Sequence, residues 1–264
     1  MSSALVTNFV LAVAGTAVLV FFGILALFEV GRRAGRRRAA EDAEGARAGV
    51  GAVEGAVYGL LGLLLAFTFS GAATRFEIRR SLVIQEANAI GTAYLRIDLL
   101  PEDAQPALRG LFRRYVDSRL AAYAQLPDIG AAMAELERSN ALQREIWKVA
   151  QEAAARSPNP PRSHLMQPAL NEMIDITTTR LAATQSRPPG IIFGMLIVLA
   201  LVSALIAGHG MAVARTRHWL HPLAYALVMS VTLYVILDLE YPRLGLIRVD
   251  AADQFLRDVR ASMH

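Results

Sequence analysis

The chain of 264 residues contains no cysteine. Disulfides, thiolate catalysis and thiolate metal centres are therefore excluded. Lysine is almost missing too: Lys148 stands alone, so the basic pI near 9.7 comes from arginine. The five histidines are scattered. His218 and His221 lie three apart, but in a basic turn with no carboxylate close in sequence, and a metal site needs a fuller ligand set. On the same ground His209, flanked by Gly208 and Gly210, reads as a packed or interfacial histidine. There is no phosphate-cradling glycine loop and no catalytic motif, so no cofactor, no metal and no enzymatic activity is expected. Proline first occurs at Pro101, which leaves the preceding hundred or so residues free of the strongest helix breaker.

What the chain does contain is apolar sequence. Hydrophobic residues make up 54% of it, and its mean hydropathy is positive. These averages conceal very apolar and very polar segments in alternation, which points to an all-α, polytopic membrane protein. Leu5 to Val30 has no charge before Glu29 and is long enough to span a bilayer. It lacks the charged start and short apolar core of a signal peptide, and is expected to be a retained helix. Arg32, Arg33, Arg36, Arg37, Arg38 and Arg47 follow, diluted by Glu41, Asp42 and Glu44. Arginine in a short loop marks the cytoplasmic side of a membrane, so this basic run is not a nucleic-acid footprint.

Gly51 to Leu100 organises the rest. Its first half is apolar to about Thr74, its second half is polar-striped, and no breaker separates them. The stretch predicts one helix of about 50 residues, roughly 75 Å long at 1.5 Å per residue. Three stripes run along it. Val83, Ala87, Ile90, Tyr94 and Ile97 step by four and three, as a buried seam does. Ser81, Gln85, Asn88 and Thr92 follow the same steps on a different face, either as a satisfied polar network or as a pore or ligand-lining surface. Gly51, Gly55, Gly59, Gly62 and Ala66 form a stripe of small residues that lets helices approach closely in lipid. Glu54, one turn inside the apolar half, either snorkels to the cytoplasmic interface or faces a wet cavity.

Beyond the long helix, residues up to Pro189 hold no stretch able to cross a bilayer. Pro101 with Glu102 and Asp103 reads as a helix start. Leu108, Leu111, Phe112, Tyr115, Val116, Leu120 and Tyr123 form an apolar face, and the LPDIG segment breaks it. Met133, Leu136, Leu142, Ile146, Trp147 and Val149 belong to the next helix. His164 to Arg187 is another, with Leu170, Met173, Ile174, Ile176 and Leu181 as core candidates. Four antiparallel segments of this kind suit a helical bundle. Ile191 to Ala214 is a third span, and Leu223 to Leu237 is the core of a fourth. The turn between them carries Arg215, Arg217, His218 and His221, again cytoplasmic by its charge, with Trp219 as an interfacial anchor.

The expected organisation is therefore residues 1–73 with spans one and two around a basic loop (31–50), a helical bundle over 74–189, spans three and four over 190–239, and a tail over 240–264. The tail carries a short amphipathic helix with Phe255, Leu256 and Val259. Arg75, Arg79 and Arg80 leave the second span where Asp238, Glu240 and Arg243 leave the fourth. Together they are expected to form a charged collar at the membrane edge, read either as interfacial salt bridges or as the mouth of an ion pathway.

The segments LAFTFSGAATRFEIRRSLVIQEANAIGTAYLRIDLLP and ILDLEYPRLGLIRV resemble the bacterial bestrophin-like four-transmembrane family, a domain of unknown function. Bestrophins are oligomeric anion channels, so the resemblance implies a homo-oligomeric ion (anion) channel or pore in a bilayer, with inorganic ions and lipid as partners and no nucleic acid. The alternative is a membrane scaffold or sensor whose extracytoplasmic helical domain acts through a partner. Arginine- and alanine-rich composition suggests a bacterial source, hence the inner membrane. Bestrophins keep the corresponding domain in the cytoplasm, whereas the two basic turns here place it, with the N-terminus, outside. Alkaline-phosphatase fusions near Asn159 are therefore expected to be active and green-fluorescent fusions there dark; the reverse pattern would restore the bestrophin orientation.

Overall fold

The computed structural model describes residues 2–41, 50–126, 128–213 and 219–264. Among these it contains helices and turns and no strand. Asp42, Glu44, Arg47, Arg215, Arg217 and His218 lie outside the described residues. The helices are α1 (Ser2–Glu41), α2 (Val50–Leu95), α3 (Gln105–Ala124), α4 (Ile129–Ala155), α5 (Pro160–Ser163), α6 (Met166–Gln185), α7 (Gly190–Gly210), α8 (Leu220–Leu239) and α9 (Asp253–Ser262). Among the described residues, four helical stretches, in α1, in α2, ending in α7, and in α8, are long and apolar enough to cross a membrane.

Local chemistry explains most of the boundaries. α1 runs on past its apolar stretch into the arginines. Glu29 meets Arg32 at 2.9 Å and Arg33 at 3.0 Å, the one-turn spacing at which oppositely charged side chains support a helix. α2 stops at Leu95, short of the expected Leu100, and tightens into a 3-10 turn over Arg96–Leu99. Leu100 is extended because the ring of Pro101 disfavours the helical conformation before it. α3 consequently begins at Gln105 and not at Pro101; the Gln105 amide donates back to the Leu100 carbonyl at 2.9 Å and closes the turn. The LPDIG break is real, and its aspartate starts the next helix: the Asp128 carboxylate accepts from the Ala131 N–H at 3.0 Å. Asn159 does the same for Arg162, ahead of two prolines that suit a first helical turn.

The chain divides into two compact units, each described by itself. One comprises Met1–Thr7, Arg75–Ser186 and Pro242–His264; the other comprises Asn8–Thr74 and Arg187–Tyr241. In the first, the seam residues Val83, Ala87, Ile90, Tyr94 and Ile97 are all buried, packed with Leu108, Phe112, Tyr115 and Val116 of α3, Ile146 of α4 and Leu170 and Met173 of α6. Each fully buried large apolar side chain here contributes on the order of 1.5–3 kcal/mol. The tail belongs to this core. Leu256 is fully buried while Phe255 stays 46% exposed. The Tyr94 hydroxyl donates to the His264 carbonyl at 2.8 Å, and Arg260 forks onto Asp117 at 2.7 and 3.1 Å. Leu181, a core candidate, is exposed, and so is Met133 of α4.

The second unit packs around Val20, Ile24, Leu61, Leu196, Ala200, Ala204, Ala226, Met229 and Leu233. α1 and α7 approach closely within it, and glycine makes that possible. A Cβ on Gly31 would strike the Leu205 carbonyl, one on Gly208 the Phe28 carbonyl, and one on Gly35 the Ala212 side chain and the His209 carbonyl. Two backbones in contact have no side chain able to yield. Gly208→Ala should therefore cost about 1–3 kcal/mol by overpacking, whereas Gly194→Ala on the same helix, whose Cβ meets nothing within 4 Å, should leave a thermal melt in detergent nearly unchanged.

Candidate functional site

The two non-core stripes of α2 are one surface. Gly51, Gly55, Gly59, Gly62 and Ala66 lead through Ser70, Thr74 and Glu77 into Ser81, Gln85, Asn88 and Thr92 without a break in the three-and-four stepping. Every one of these residues is exposed in the single chain. A Cβ added at Gly51, Gly55, Gly59 or Gly62 would meet nothing within 4 Å. The small residues of α2 therefore serve no packing inside the chain, unlike Gly31, Gly35 and Gly208. The amide and hydroxyl stripe is likewise not part of a buried network: Ser81 donates only to the Ile78 carbonyl one turn back, at 3.0 Å. Large apolar side chains flank the stripe in its apolar half, where Leu60, Leu63, Phe67 and Phe69 are exposed.

The charged residues near the middle of α2 divide between faces. Arg79, 6% exposed, donates to the carbonyls of Ala183 at 3.1 Å and Ser186 at 2.9 Å, where the C-terminal end of α6 presents unpaired acceptors and negative partial charge. Arg75 is half-buried. Arg80 and Glu77 are both exposed and meet at 3.3 Å. Arg243 turns to the tail, with a fork onto Asp253 at 2.7 and 2.8 Å and a contact with Asp250 at 3.2 Å. Of the expected collar, Arg75, Arg79, Arg80 and Arg243 thus fall in one unit, and Asp238 and Glu240, both 1% exposed, in the other. Near the start of α2, Glu54 Oε1 is buried without a hydrogen bond, 3.0 Å from where a Cβ on Gly210 would stand.

Behind the exposed surface lies a cluster that the stripe analysis overlooked. Glu86 is fully buried. Its carboxylate accepts from Arg119 Nε of α3 at 2.6 Å and from Arg180 of α6. Arg119 also donates to the Tyr123 hydroxyl at 2.8 Å. The guanidinium groups of Arg180 and Arg243 sit over the Tyr123 ring, at 4.5 and 4.3 Å from its centre. Burial, then the positive charge of Arg243, pulls the Arg180 guanidinium down to about 9, with Asp253 pushing the other way. It is still charged at neutral pH. Burial raises the Tyr123 phenol, which stays neutral. A signal for the cluster was present in the sequence: Glu86 stands three after Val83 and four before Ile90, a lone acid on the apolar seam.

These features define a class: an all-helical protein with bilayer-length apolar helices, whose long second helix keeps one face free from end to end. The chain belongs to the Bestrophin-like domain family, whose pattern it matches over residues 6–253. Its fold is similar to a crystal structure of a mutant bacterial bestrophin homologue from Klebsiella pneumoniae, with a TM-score of 0.61 and 16% sequence identity over 92% of this chain and 99% of that one. At that identity the likeness is one of fold. No curated protein sequence matches the chain.

The buried cluster and the exposed surface should respond differently to substitution. Glu86→Gln leaves Arg119 and Arg180 buried without their counter-charge and should cost about 3–5 kcal/mol. Ser81→Ala and Asn88→Ala, exposed in the single chain, should stay within about 0.5 kcal/mol in melts of detergent-dispersed monomer.

Proposed function

We propose that the chain is one subunit of a homo-oligomeric ion channel in a bacterial inner membrane, with the α2 helices of several copies lining the pathway. The observation that carries this reading is the continuous exposed stripe of α2, made of small residues between flanking apolar ones in its apolar half and of polar residues beyond it. A helix face turned to lipid is best covered by large apolar side chains, because packing against the tails is all it can gain there. Glycine and alanine along such a face instead allow backbones of neighbouring copies to approach. Serine, threonine, glutamine and asparagine past Thr74 give a wet lumen its hydrogen-bonding partners. The family supports the same reading through the channel activity of bestrophins.

In this arrangement four helices span the bilayer. Residues 1–73 and 190–239 form the membrane part, 74–189 form the helical domain, and 240–264 form the tail. The domain and the N-terminus lie outside the cytoplasm, by the arginines of the first loop. The charges from Arg75 to Arg80 and from Asp238 to Arg243 mark the level at which the spans leave the bilayer.

Purified protein in liposomes should carry an ion flux that a chemically matched empty vesicle does not. An intact oligomer with no flux would leave a membrane scaffold or sensor as the better reading. Gly59→Leu separates the surface's role between copies from its role within one. A Cβ at that position meets nothing within 4 Å in the single chain, so the monomer should melt much as wild type does, while the oligomer should loosen and the flux fall. A monomeric wild type in mild detergent, together with a silent Gly59→Leu, would remove the surface from assembly altogether.

A further inference from the structure

We propose that the unit of apolar helices holds a phospholipid site, with the lipid phosphate on Arg187 and one acyl chain in a groove between α1, α7 and α8. All the residues of the site fall in the unit made of Asn8–Thr74 and Arg187–Tyr241. Among the described residues none of α2 lines the groove, so the proposal stands whether or not the protein conducts. The bilayer-length stretch of α1 begins at Asn8, α7 begins at Gly190 and α8 ends at Leu239. These three ends meet in a stack. The rings of Phe9 and Tyr241 lie 4.5 Å apart, and the Arg187 guanidinium sits over the Tyr241 ring, 4.3 Å from its centre. Aromatic rings at the ends of spans mark the headgroup level of a bilayer. The stack places a cation there without neutralising it. Arg187 is exposed, and no carboxylate among the described residues pairs with it. A ring attracts the charge but gives the N–H donors no oxygen. Asp238 and Glu240, close by in the chain, are 1% exposed and partnered inside, so neither presents its charge at the surface. A guanidinium matches a phosphate through two parallel hydrogen bonds.

The groove lies just beneath this stack. Ala17 and Val20 of α1, Phe193 and Ile197 of α7, and Leu233 and Leu237 of α8 line about 250 Å³ of open space. Thr16 also lines it, but its hydroxyl is turned onto the Ala12 carbonyl at 2.9 Å and adds only a methyl group to the wall. Phe193 stands three residues into α7 and Leu237 four before Tyr241, so the groove begins about one helical turn, roughly 5 Å, from the stack. The glycerol of a phospholipid bridges a spacing of that order. A gap in a wall that faces lipid tails forfeits dispersion contacts, and a flexible chain recovers them. The occupant is a lipid and not a second copy of the chain, because the same three helices expose large apolar side chains: Val18 and Leu19 on α1, Val198 on α7 and Val231 on α8. Helix neighbours within a membrane favour small ones.

The test is lipid retention by the delipidated protein in detergent, read by native mass spectrometry. Dioleoylphosphatidylglycerol should stay bound through washing, whereas dioleoylglycerol, with the same chains and no phosphate, should be lost. Arg187→Gln should lower phosphatidylglycerol occupancy about tenfold, and Arg187→Lys by less, because an ammonium cannot make the paired contact. Both should leave the melt of the lipid-free protein unchanged, since the residue is exposed. Arg162→Gln, exposed in the helical domain, should alter neither reading. Ala17→Leu should fill the groove and lower occupancy with Arg187 intact. Equal retention of the two lipids, or undiminished retention in Arg187→Gln or in Ala17→Leu, overturns the proposal. Displacement of the lipid by inorganic phosphate overturns it as well, because the site would then hold an ion and no chain. Ala17→Cys introduces the sole cysteine of the chain. A high yield of its disulfide-linked dimers in membranes would show a second copy over the groove and would likewise sink the lipid site.

Discussion

The contact on which the helical domain turns is the fully buried carboxylate of Glu86, held between Arg119 and Arg180. A buried charge tolerates very little displacement, because losing either partner leaves an uncompensated ion in a medium that cannot solvate it. Apolar seams are more forgiving. Val83, Ile90 and Ile97 would accept a modest rotation of α2 with some repacking, but Glu86 would not. By drawing one guanidinium from α3 and one from α6 onto the same side of α2, this contact sets the rotation of the long helix inside the domain. The face left outside the core is then the one bearing Ser81, Gln85, Asn88 and Thr92.

The same cluster ties in the end of the chain. Tyr123 receives the guanidinium of Arg243 on its ring, and Arg243 is in turn held by Asp250 and Asp253 at the start of α9. Leu256 anchors that helix in the core, and Tyr94 and Asp117 bind its far end. A tail of about twenty residues is thereby a structural part of the bundle, coupled through one aromatic ring to the charge pair that orients α2.

Glycine plays two physically distinct roles in this protein. Gly31, Gly35 and Gly208 are consumed within the chain, where α1 and α7 come so close that backbone touches backbone. Gly51, Gly55, Gly59 and Gly62 touch nothing in their own chain. Composition and spacing do not separate these cases, since both sets sit in apolar helices. What separates them is whether a neighbouring element already occupies the space where the Cβ would stand.

The sequence by itself determined the helical class, the apolar stretches, the long helix free of breakers and the buried seam from Val83 to Ile97. Each of these rests on local chemistry or on a period that survives any tertiary arrangement. It also carried the residues of the exposed surface, although as two separate stripes; the join through Ser70, Thr74 and Glu77 follows from the stepping alone. Other features depended on contacts distant in the chain. Phe255, Met133 and Leu181 have the right chemistry for a core and find no neighbour to bury them. Arg79 and Arg80 are adjacent and chemically identical, yet one is spent on the carbonyls of α6 and the other stays in solvent. Only the tertiary structure decided that Glu86 meets residues 33 and 94 positions away. A buried ion pair is a property of two distant segments brought together, and neither segment records its partner.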